Sequence, residues 1–351
     1  MFDIPQWAVR HDYFHHSNPR SGDRAKKLFE KVHVRPAVKK AKATLYDLEA
    51  HETDLAQARL TIDIFHNNRG SAKMAAGRAV QDGTDLCLIP EKDTEQTLSL
   101  QEAQFIAKEN LAAYRPLDYD KTVEADDKEQ LEQCLEEIDR VVENAVIGLR
   151  EAMARENKYI GEIELLEALP GNVLPHNTFP DYARRGDLKT KWSSPQTNSK
   201  GERTWKKGYL PKTLTGMWEK NNVYQVAGFY ALNGKQPPFL VYANATDYRV
   251  FDSTNTPELR PDYLDDVVRD ISMQHKITEN ILRAAETKEE LLGLVSPDWE
   301  SFFWRMNSPA YHKTRFAVRR LQASSQKRIL QGVHSRGPVL AHRLDAGGQV
   351  H

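Results

Sequence analysis

One long segment of the chain, residues 127–156, repeats apolar residues at helical spacing. Leu131, Leu135, Ile138, Val142, Val146 and Leu149 recur every three or four residues and share one side of a helix. Because a helix of this length must bury its apolar stripe against other elements, the chain has to fold around it. The segment therefore predicts a helical layer.

Further helices are predicted on the N-terminal side of this segment. Residues 45–70 have apolar residues at three-to-four spacing, and a second helix is expected from Ser71 to Leu88, close to Pro90. Ser99 followed by Glu102 is a capping-box pattern, which predicts that a helix begins there.

The pattern changes after residue 157. "YIGEIELLEALPGNVLP" predicts a strand and a turn, and "TFPDYARRGDLKTKW" predicts two short strands around a tight turn. "SSPQTNSKGERTWKKGYLPKT" is typical of a loop, whereas "LTGMWEKNNVYQVAGFYALNG" predicts a helix that ends at Asn233-Gly234. "PPFLVYANATDYRVFDS" predicts strand, turn and strand, and another helix follows from Pro257 to about Leu294. The order predicts an α/β fold with a mixed central sheet flanked by helices and an N-terminal helical layer.

Composition excludes several classes of protein. The 351 residues contain two cysteines, too few for a four-thiolate cluster, so no iron–sulfur cluster is expected. No apolar run is long enough to span a membrane, and the first twenty residues lack the apolar region of a secretory signal. We therefore expect a cytoplasmic protein.

Charge is distributed unevenly although the net charge is only −1. Lysine and arginine dominate residues 1–43 and 183–212, whereas residues 124–156 are acidic. Basic segments of this kind either bind phosphate groups or are simply exposed to solvent. If the acidic helix faces away from them, the protein can still bind nucleic acid locally.

The segment "GDLKTKW" has the strongest chemical pattern. On a strand, Asp187, Lys189 and Lys191 share one face, and Leu188 and Thr190 share the other. Carboxylates hold Mg²⁺ or Mn²⁺ for phosphodiester hydrolysis, and a nearby lysine orients water and offsets negative charge. The alternative is an exposed strand edge that carries charges.

Two further features accompany this strand. If residues 182–186 form a hairpin turn, Asp181 lies opposite Asp187, close enough for one ion to bridge both carboxylates. The following helix carries Gln225 and Tyr230, which could face a common groove obliquely. The alternatives are an ordinary turn aspartate and a helix with a buried tyrosine.

In this order, "PDYARRGDLKTKW", "YQVAGFYALNG" and "PPFLVYANATDYRVF" resemble the PD-(D/E)XK nuclease superfamily over about residues 70–300. The resemblance is closest to the RecB-type exonucleases, which include the mitochondrial genome maintenance exonuclease and related phage exonucleases. It implies a restriction-endonuclease-like core, Mg²⁺ or Mn²⁺ as cofactor, and DNA ends, single- or double-stranded, as substrate. A phage single-strand-binding or annealing protein is a further implied partner.

The resemblance also implies roles for individual residues. Asp181 and Asp187 become catalytic metal ligands, Lys189 the catalytic lysine, and Gln225 the helix glutamine that supports the site or touches the DNA strand. The family's upstream helix, G-x-x-x-H-x-x-x-E, matches Gly77, Gln81 and Asp85, which makes Asp85 and Gln81 metal-shell residues although Gln81 replaces the histidine. The family's tyrosine falls on Phe229, one position before Tyr230. The following residues are expected to contact DNA or support the site: Tyr230, Lys191, Arg184, Arg185, Lys206 and Lys207.

Some alternatives stay open at the level of sequence. The spacing from Asp181 to Asp187 is shorter than the family's. Either the hairpin is trimmed and Asp181 is the upstream acid, which we favour, or Glu162, Glu164 or Glu167 has that role. Trp192, Trp205 and Tyr209 could stack on bases.

The resulting prediction is a metal-dependent DNA exonuclease, phage-encoded and acting in DNA degradation or recombination in the host bacterial cytoplasm. The alternatives are a nucleic-acid-binding module with a decayed site and a scaffolding protein with a basic arm. We expect a basic N-terminal arm over residues 1–45 and a nuclease-like domain over 46–331. That domain comprises a helical part (46–156) and a catalytic core (157–300), and a disordered tail follows over 332–351.

Overall fold

The computed structural model describes residues 71–90, 96–116, 121–154 and 161–285, with a few residues on either side (39–40, 43–44, 51–55, 287, 290, 291 and 323). The chain divides into two compact units, one of residues 1–13, 20–68 and 277–351 and the other of residues 14–19 and 69–276. Almost all of the predicted arm and the predicted tail lie outside the described residues, as does most of the predicted helix over 45–70. The fold below is that of the second unit.

Three helices form its N-terminal layer: α1 (Ala72–Leu88), α2 (Leu100–Ala112) and α3 (Lys121–Ala152). The capping box at the start of α2 is confirmed, because the Ser99 hydroxyl accepts from the Glu102 amide and the Glu102 carboxylate accepts from the Ser99 amide. The apolar stripe of α3 is buried as predicted: Ile138, Val142 and Leu149 are fully covered by α1 and α2 on one side and by a sheet on the other.

The strands are β1 (Leu165–Glu167), β2 (His176–Thr178), β3 (Gly186–Thr190), β4 (Ser194–Thr197), β5 (Arg203–Lys206), β6 (Phe239–Ala243) and β7 (Tyr248–Phe251). A mixed three-stranded sheet has the order β3-β6-β7, with β3 parallel to β6 and β7 antiparallel to it. β1 pairs with β2 and β4 pairs with β5, both antiparallel. The predicted α/β class with a mixed sheet is confirmed.

Two helices cover the other face of the mixed sheet. They are α4 (Met217–Leu232) and α5 (Pro261–Ala284), the latter preceded by a 3₁₀ turn at Pro257–Leu259; residues up to Lys276 of α5 belong to this unit. β6 is buried on both faces, with Val241 packed on the helical layer and Leu240 and Tyr242 packed on α4 and α5. This explains why its sequence is an unbroken apolar run.

One prediction for this part of the chain is wrong. Residues 193–213 were expected to be a loop, but β4 and β5 form a hairpin there, and Arg203 of β5 forms ion pairs with Asp126 and Glu129 of α3. Polar and β-branched residues such as Thr197 and Thr204 suit a two-stranded ribbon that has a solvated face. No helix among the described residues combines the length and apolar character needed to span a membrane.

Candidate active site

Strand β3 presents its side chains alternately, as the sequence predicts. Leu188 packs against the helical layer, whereas Asp187 and Lys189 face α4. Lys191 follows on the same side, with its Nζ 5.3 Å from the centre of the Tyr242 ring. The acid and both lysines therefore lie along the same side of β3, which is an edge strand of the sheet.

A tight turn brings Asp181 to the start of this strand. Ala183 and Arg184 have φ values of 50° and 60°, a left-handed conformation that reverses the chain within Tyr182–Gly186. The Asp181 amide donates to the Gly186 carbonyl at 2.9 Å. The Leu188 amide donates to Asp181 Oδ2 at 3.1 Å. Among the described strands, β3 pairs only with β6, so its other edge is open. The Asp181 carboxylate therefore accepts from a backbone amide, that of Leu188, on this open edge.

Asp181 and Asp187 form a pair of adjacent carboxyl groups. Asp187 is 1% exposed. Burial, and next the neighbouring charge of Asp187, raises the pKa of Asp181 to about 8. Two carboxylates this close repel each other unless a proton or a cation lies between them.

Gln225 of α4 connects Asp187 with Lys189. Its Nε2 donates to Asp187 Oδ1 at 3.0 Å, and its Oε1 accepts from Lys189 Nζ, also at 3.0 Å. A carboxylate can only accept hydrogen bonds and an ammonium can only donate them. The two contacts together therefore fix the orientation of the Gln225 amide. Lys189 Nζ also lies 2.6 Å from Asp187 Oδ2 as an ion pair.

That ion pair does not satisfy Asp187 Oδ2 as a hydrogen-bond acceptor. Oδ2 is buried, and no described residue donates a hydrogen bond to it, although the Lys189 ammonium lies beside it. The positive charge beside this oxygen is the Lys189 ammonium, and a proton kept on Asp181 is a second group that offsets the charge of the acid pair.

Helix α1 contributes Gln81 from the opposite side. Its Nε2 donates to Asp181 Oδ1 at 3.3 Å, so Gln81 meets the acid pair through a donor in this arrangement rather than through its carbonyl oxygen. One helical turn earlier, a Cβ added at Gly77 would lie 3.2 Å from Thr190 Oγ1, so a small residue lets α1 approach β3 closely.

Asp85 lies one turn beyond Gln81, beside Tyr182. Burial, opposed by a hydrogen bond from Tyr182, raises the pKa of Asp85 to about 6, and the nearby charges that act on it are Asp82 and Glu162. Its Oδ1 is buried without a hydrogen-bond donor among the described residues. The structure thus places Asp85 beside Tyr182, one turn of α1 beyond the glutamine that contacts Asp181.

Other residues predicted for the site lie elsewhere. Tyr230 is 1% exposed, and its hydroxyl donates to Asp265 of α5 at 3.3 Å. Arg185 donates to the Pro237 carbonyl at 2.8 Å and lies over the Phe239 ring, which packs on the helical layer. Arg184 is exposed in the turn. The oblique common groove predicted for Gln225 and Tyr230 is absent from this described part of the fold.

The basic and aromatic residues of the hairpin region divide into two groups. Lys206 and Lys207 are exposed, so they are available to an anionic ligand. Trp192, in contrast, is buried and donates from Nε1 to Thr190 Oγ1 at 3.1 Å. The prediction that Trp192 could stack on bases is therefore wrong, because its ring is part of the core under the helical layer.

The alternative upstream acids are exposed. Glu162, Glu164 and Glu167 all lie on or next to β1, and the Glu164 carboxylate accepts from Asn177 at 2.7 Å. Asp181, by contrast, lies beside Asp187 and accepts a hydrogen bond from the Leu188 amide of β3.

Sequence reasoning missed Asn222 and Tyr242. The Asn222 amide donates to the Tyr242 hydroxyl at 2.6 Å, and Tyr242 lies directly opposite Lys189 on β6. Asn222 could have been found, because it precedes Gln225 by three residues and so shares its helix face. Tyr242 could not, because the pairing of β3 with β6 joins segments about fifty residues apart.

The acid pair fits a hard divalent cation. Within the described ranges no three His, Cys, Asp or Glu side chains group together as a metal site. Mg²⁺, however, is commonly held by one or two carboxylates together with water and substrate phosphate. Asp181 and Asp187 supply two carboxylates, one of which has a buried oxygen without a hydrogen-bond donor.

No protein-family model, no curated protein and no solved structure matches the chain.

Proposed function

We propose that this chain is a metal-dependent deoxyribonuclease that hydrolyses phosphodiester bonds at DNA ends, an exonuclease rather than an endonuclease. The observation that carries the proposal is the contact between the Asp181–Asp187 pair and a lysine that Gln225 holds in place. The proposal includes a restriction-endonuclease-like arrangement of the α/β core. It also includes a phage origin and action in DNA degradation or recombination in the bacterial cytoplasm.

Asp181 and Asp187 would hold Mg²⁺ or Mn²⁺, which supplies positive charge against the phosphate oxygens when it is bound. The turn fixes Asp181 through its contacts to Gly186 and Leu188, so the first acid is held by the backbone as well as by its side chain. Gln81 donates to the same carboxylate and limits its rotation.

Lys189 would orient the attacking water and stabilise negative charge at phosphorus. An ammonium has three donors, of which one is used by Gln225, and its charge is paired with Asp187. A remaining donor can point to water or to a phosphate oxygen. Gln225 is a positioning residue, because it holds both Lys189 and Asp187.

Lys191, Lys206 and Lys207 would contact the DNA backbone. Lys191 continues the line of Asp187 and Lys189 along β3, and the other two lysines are exposed on and after the hairpin strand β5. Such contacts give affinity that depends strongly on salt and little on sequence.

An assay with end-labelled single- and double-stranded oligonucleotides tests the proposal. Wild-type protein incubated with Mg²⁺ or Mn²⁺ is expected to shorten the labelled strand, and EDTA is expected to stop the reaction. Salt-sensitive binding without product under any of these conditions would favour a nucleic-acid-binding module with a decayed site. Neither binding nor product at moderate salt would favour a scaffolding protein.

A further inference from the structure

Three residues on one face of helix α4 lead from the solvent-exposed start of the helix to the acid pair. Trp218, Asn222 and Gln225 follow each other at steps of four and three residues and therefore share a face. Gln225 contacts Lys189, Asn222 contacts Tyr242, and Trp218 is 56% exposed. At the helical rise, Trp218 lies about 10 Å along the axis from Gln225.

A second exposed aromatic residue lies near the end of β3. The backbone of Gly208 packs so closely on Lys191 that an added Cβ would overlap the Lys191 carbonyl oxygen. The next residue, Tyr209, is 63% exposed. Glu219, the neighbour of Trp218, lies close enough to Lys191 for their charges to interact. Tyr209 and Trp218 are thus each adjacent to a residue that is close to Lys191.

Residues 206–220 around these aromatic residues contain four lysines and one acid, Glu219. Exposed cations of the same region are Lys206, Lys207, Lys212 and Lys220. Large exposed aromatic rings mark a binding surface, and rings among lysines suit a ligand that has both anionic groups and flat apolar faces. A nucleic-acid strand with unpaired bases has both, whereas an acidic peptide has mainly the charge.

We propose that Lys191, Trp218 and Tyr209 form a subsite for the unpaired nucleotides next to the phosphate that is cut, with Lys191 on a phosphate and the two rings stacked on bases. Two residues of a strand span about 6.6 Å, so Lys191 follows Lys189 at a step comparable to one nucleotide. The proposal rests on the proposed nuclease function, since it takes Lys189 as the position of the scissile phosphate.

Fluorescence anisotropy of the full chain with a labelled oligonucleotide in EDTA tests the subsite, because EDTA separates binding from cleavage. Trp218→Ala and Tyr209→Ala are expected to weaken binding of a single strand about tenfold each. Trp218→Phe should retain most of the affinity, because it keeps a ring. The affinity of each variant for a blunt duplex should fall less than twofold. Phe105→Ala is the matched control, since Phe105 is 66% exposed on α2 in the other layer.

The outcomes separate the subsite from the nuclease itself. Single-strand affinity that falls in Trp218→Ala but not in Phe105→Ala supports the subsite. Wild-type affinity in both Trp218→Ala and Tyr209→Ala, with metal-dependent cleavage intact, overturns the subsite and leaves the nuclease standing. A wild-type protein that neither binds nor cuts DNA overturns both. Equal losses on single strand and duplex overturn stacking on unpaired bases.

Discussion

The Lys189 ammonium donates to the Gln225 amide oxygen at 3.0 Å, and the same amide donates to Asp187. A single neutral side chain from α4 therefore contacts both the carboxylate and the ammonium on β3. The relationship matters because Asp187 is buried whereas the Lys189 side chain is 26% exposed, so the contact to Gln225 restrains the more open of the two side chains.

Replacement of Gln225 by alanine should lower kcat about 10- to 100-fold while KM for DNA changes little, because the residue positions Lys189 rather than binding the strand. Steady-state kinetics on an end-labelled strand measures both constants. Gln196→Ala, at an exposed glutamine of β4, is the control and should behave as wild type. A rise in KM without a fall in kcat would show that Gln225 binds DNA instead.

Replacement of Asp181 by asparagine should change how stability depends on pH. The pKa of Asp181 is raised to about 8 from the usual 3.8, first by burial and then by Asp187. Between about pH 4 and pH 8 the folded protein keeps a proton that the unfolded chain has lost, so stability falls as pH rises through this window. Asp181→Asn removes the titration, so its melting temperature should fall less than that of wild type between pH 5 and pH 8.

The control for this experiment is Asp262→Asn, at an exposed carboxyl group at the start of α5. Its melting temperature should follow wild type across the same range. Parallel curves for wild type and Asp181→Asn would contradict a raised pKa at Asp181.

Replacement of both Lys206 and Lys207 by alanine should weaken DNA binding and lower its dependence on salt. Two lost phosphate contacts reduce the slope of log affinity against log salt by about two. Anisotropy titrations at several salt concentrations measure the slope. Lys235→Ala, whose ammonium forms an ion pair with Asp265, is the matched control and should keep the wild-type slope. An unchanged slope in the double variant would exclude these lysines from the interface.

Gly208→Ala should destabilise the fold by about 1–3 kcal/mol or more, because the new Cβ would overlap the Lys191 carbonyl, a backbone group that cannot rotate away. Chemical denaturation measures the free energy of unfolding. Gly161→Ala is the comparison, since its Cβ would meet only the end of the Ile89 side chain, which can move. Equal losses in the two variants would contradict a tight backbone contact at Lys191.

Sequence patterns predicted much of this structure where the signal is local. The apolar period of α3, the capping box at Ser99 and the alternation of Asp187, Leu188 and Lys189 all depend on neighbouring residues, and the structure shows each of them. The turn that brings Asp181 to β3 was predicted for the same reason.

The remaining features depend on contacts between distant segments. The parallel pairing of β3 with β6 brings Tyr242 beside Lys189, and no local pattern specifies that partner. The β4–β5 hairpin was missed because its Ser, Thr and Gly content is also that of a loop, while Arg203 gains acidic partners only from α3. Trp192 and Tyr230 were assigned to the site because aromatic residues suit either a core or a ligand, and tertiary packing decides between the two.

The most direct test of the central claim is the release of labelled nucleotides from a DNA end by Lys189→Ala in Mg²⁺, compared with wild type and Lys235→Ala. Because Asp187 loses its ion-pair partner in Lys189→Ala, its melting temperature is measured first to establish that the protein is folded. We predict that wild type and Lys235→Ala cut the strand, whereas folded Lys189→Ala binds it normally and cuts at least about 100-fold more slowly. Cleavage by folded Lys189→Ala at the wild-type rate would contradict the account.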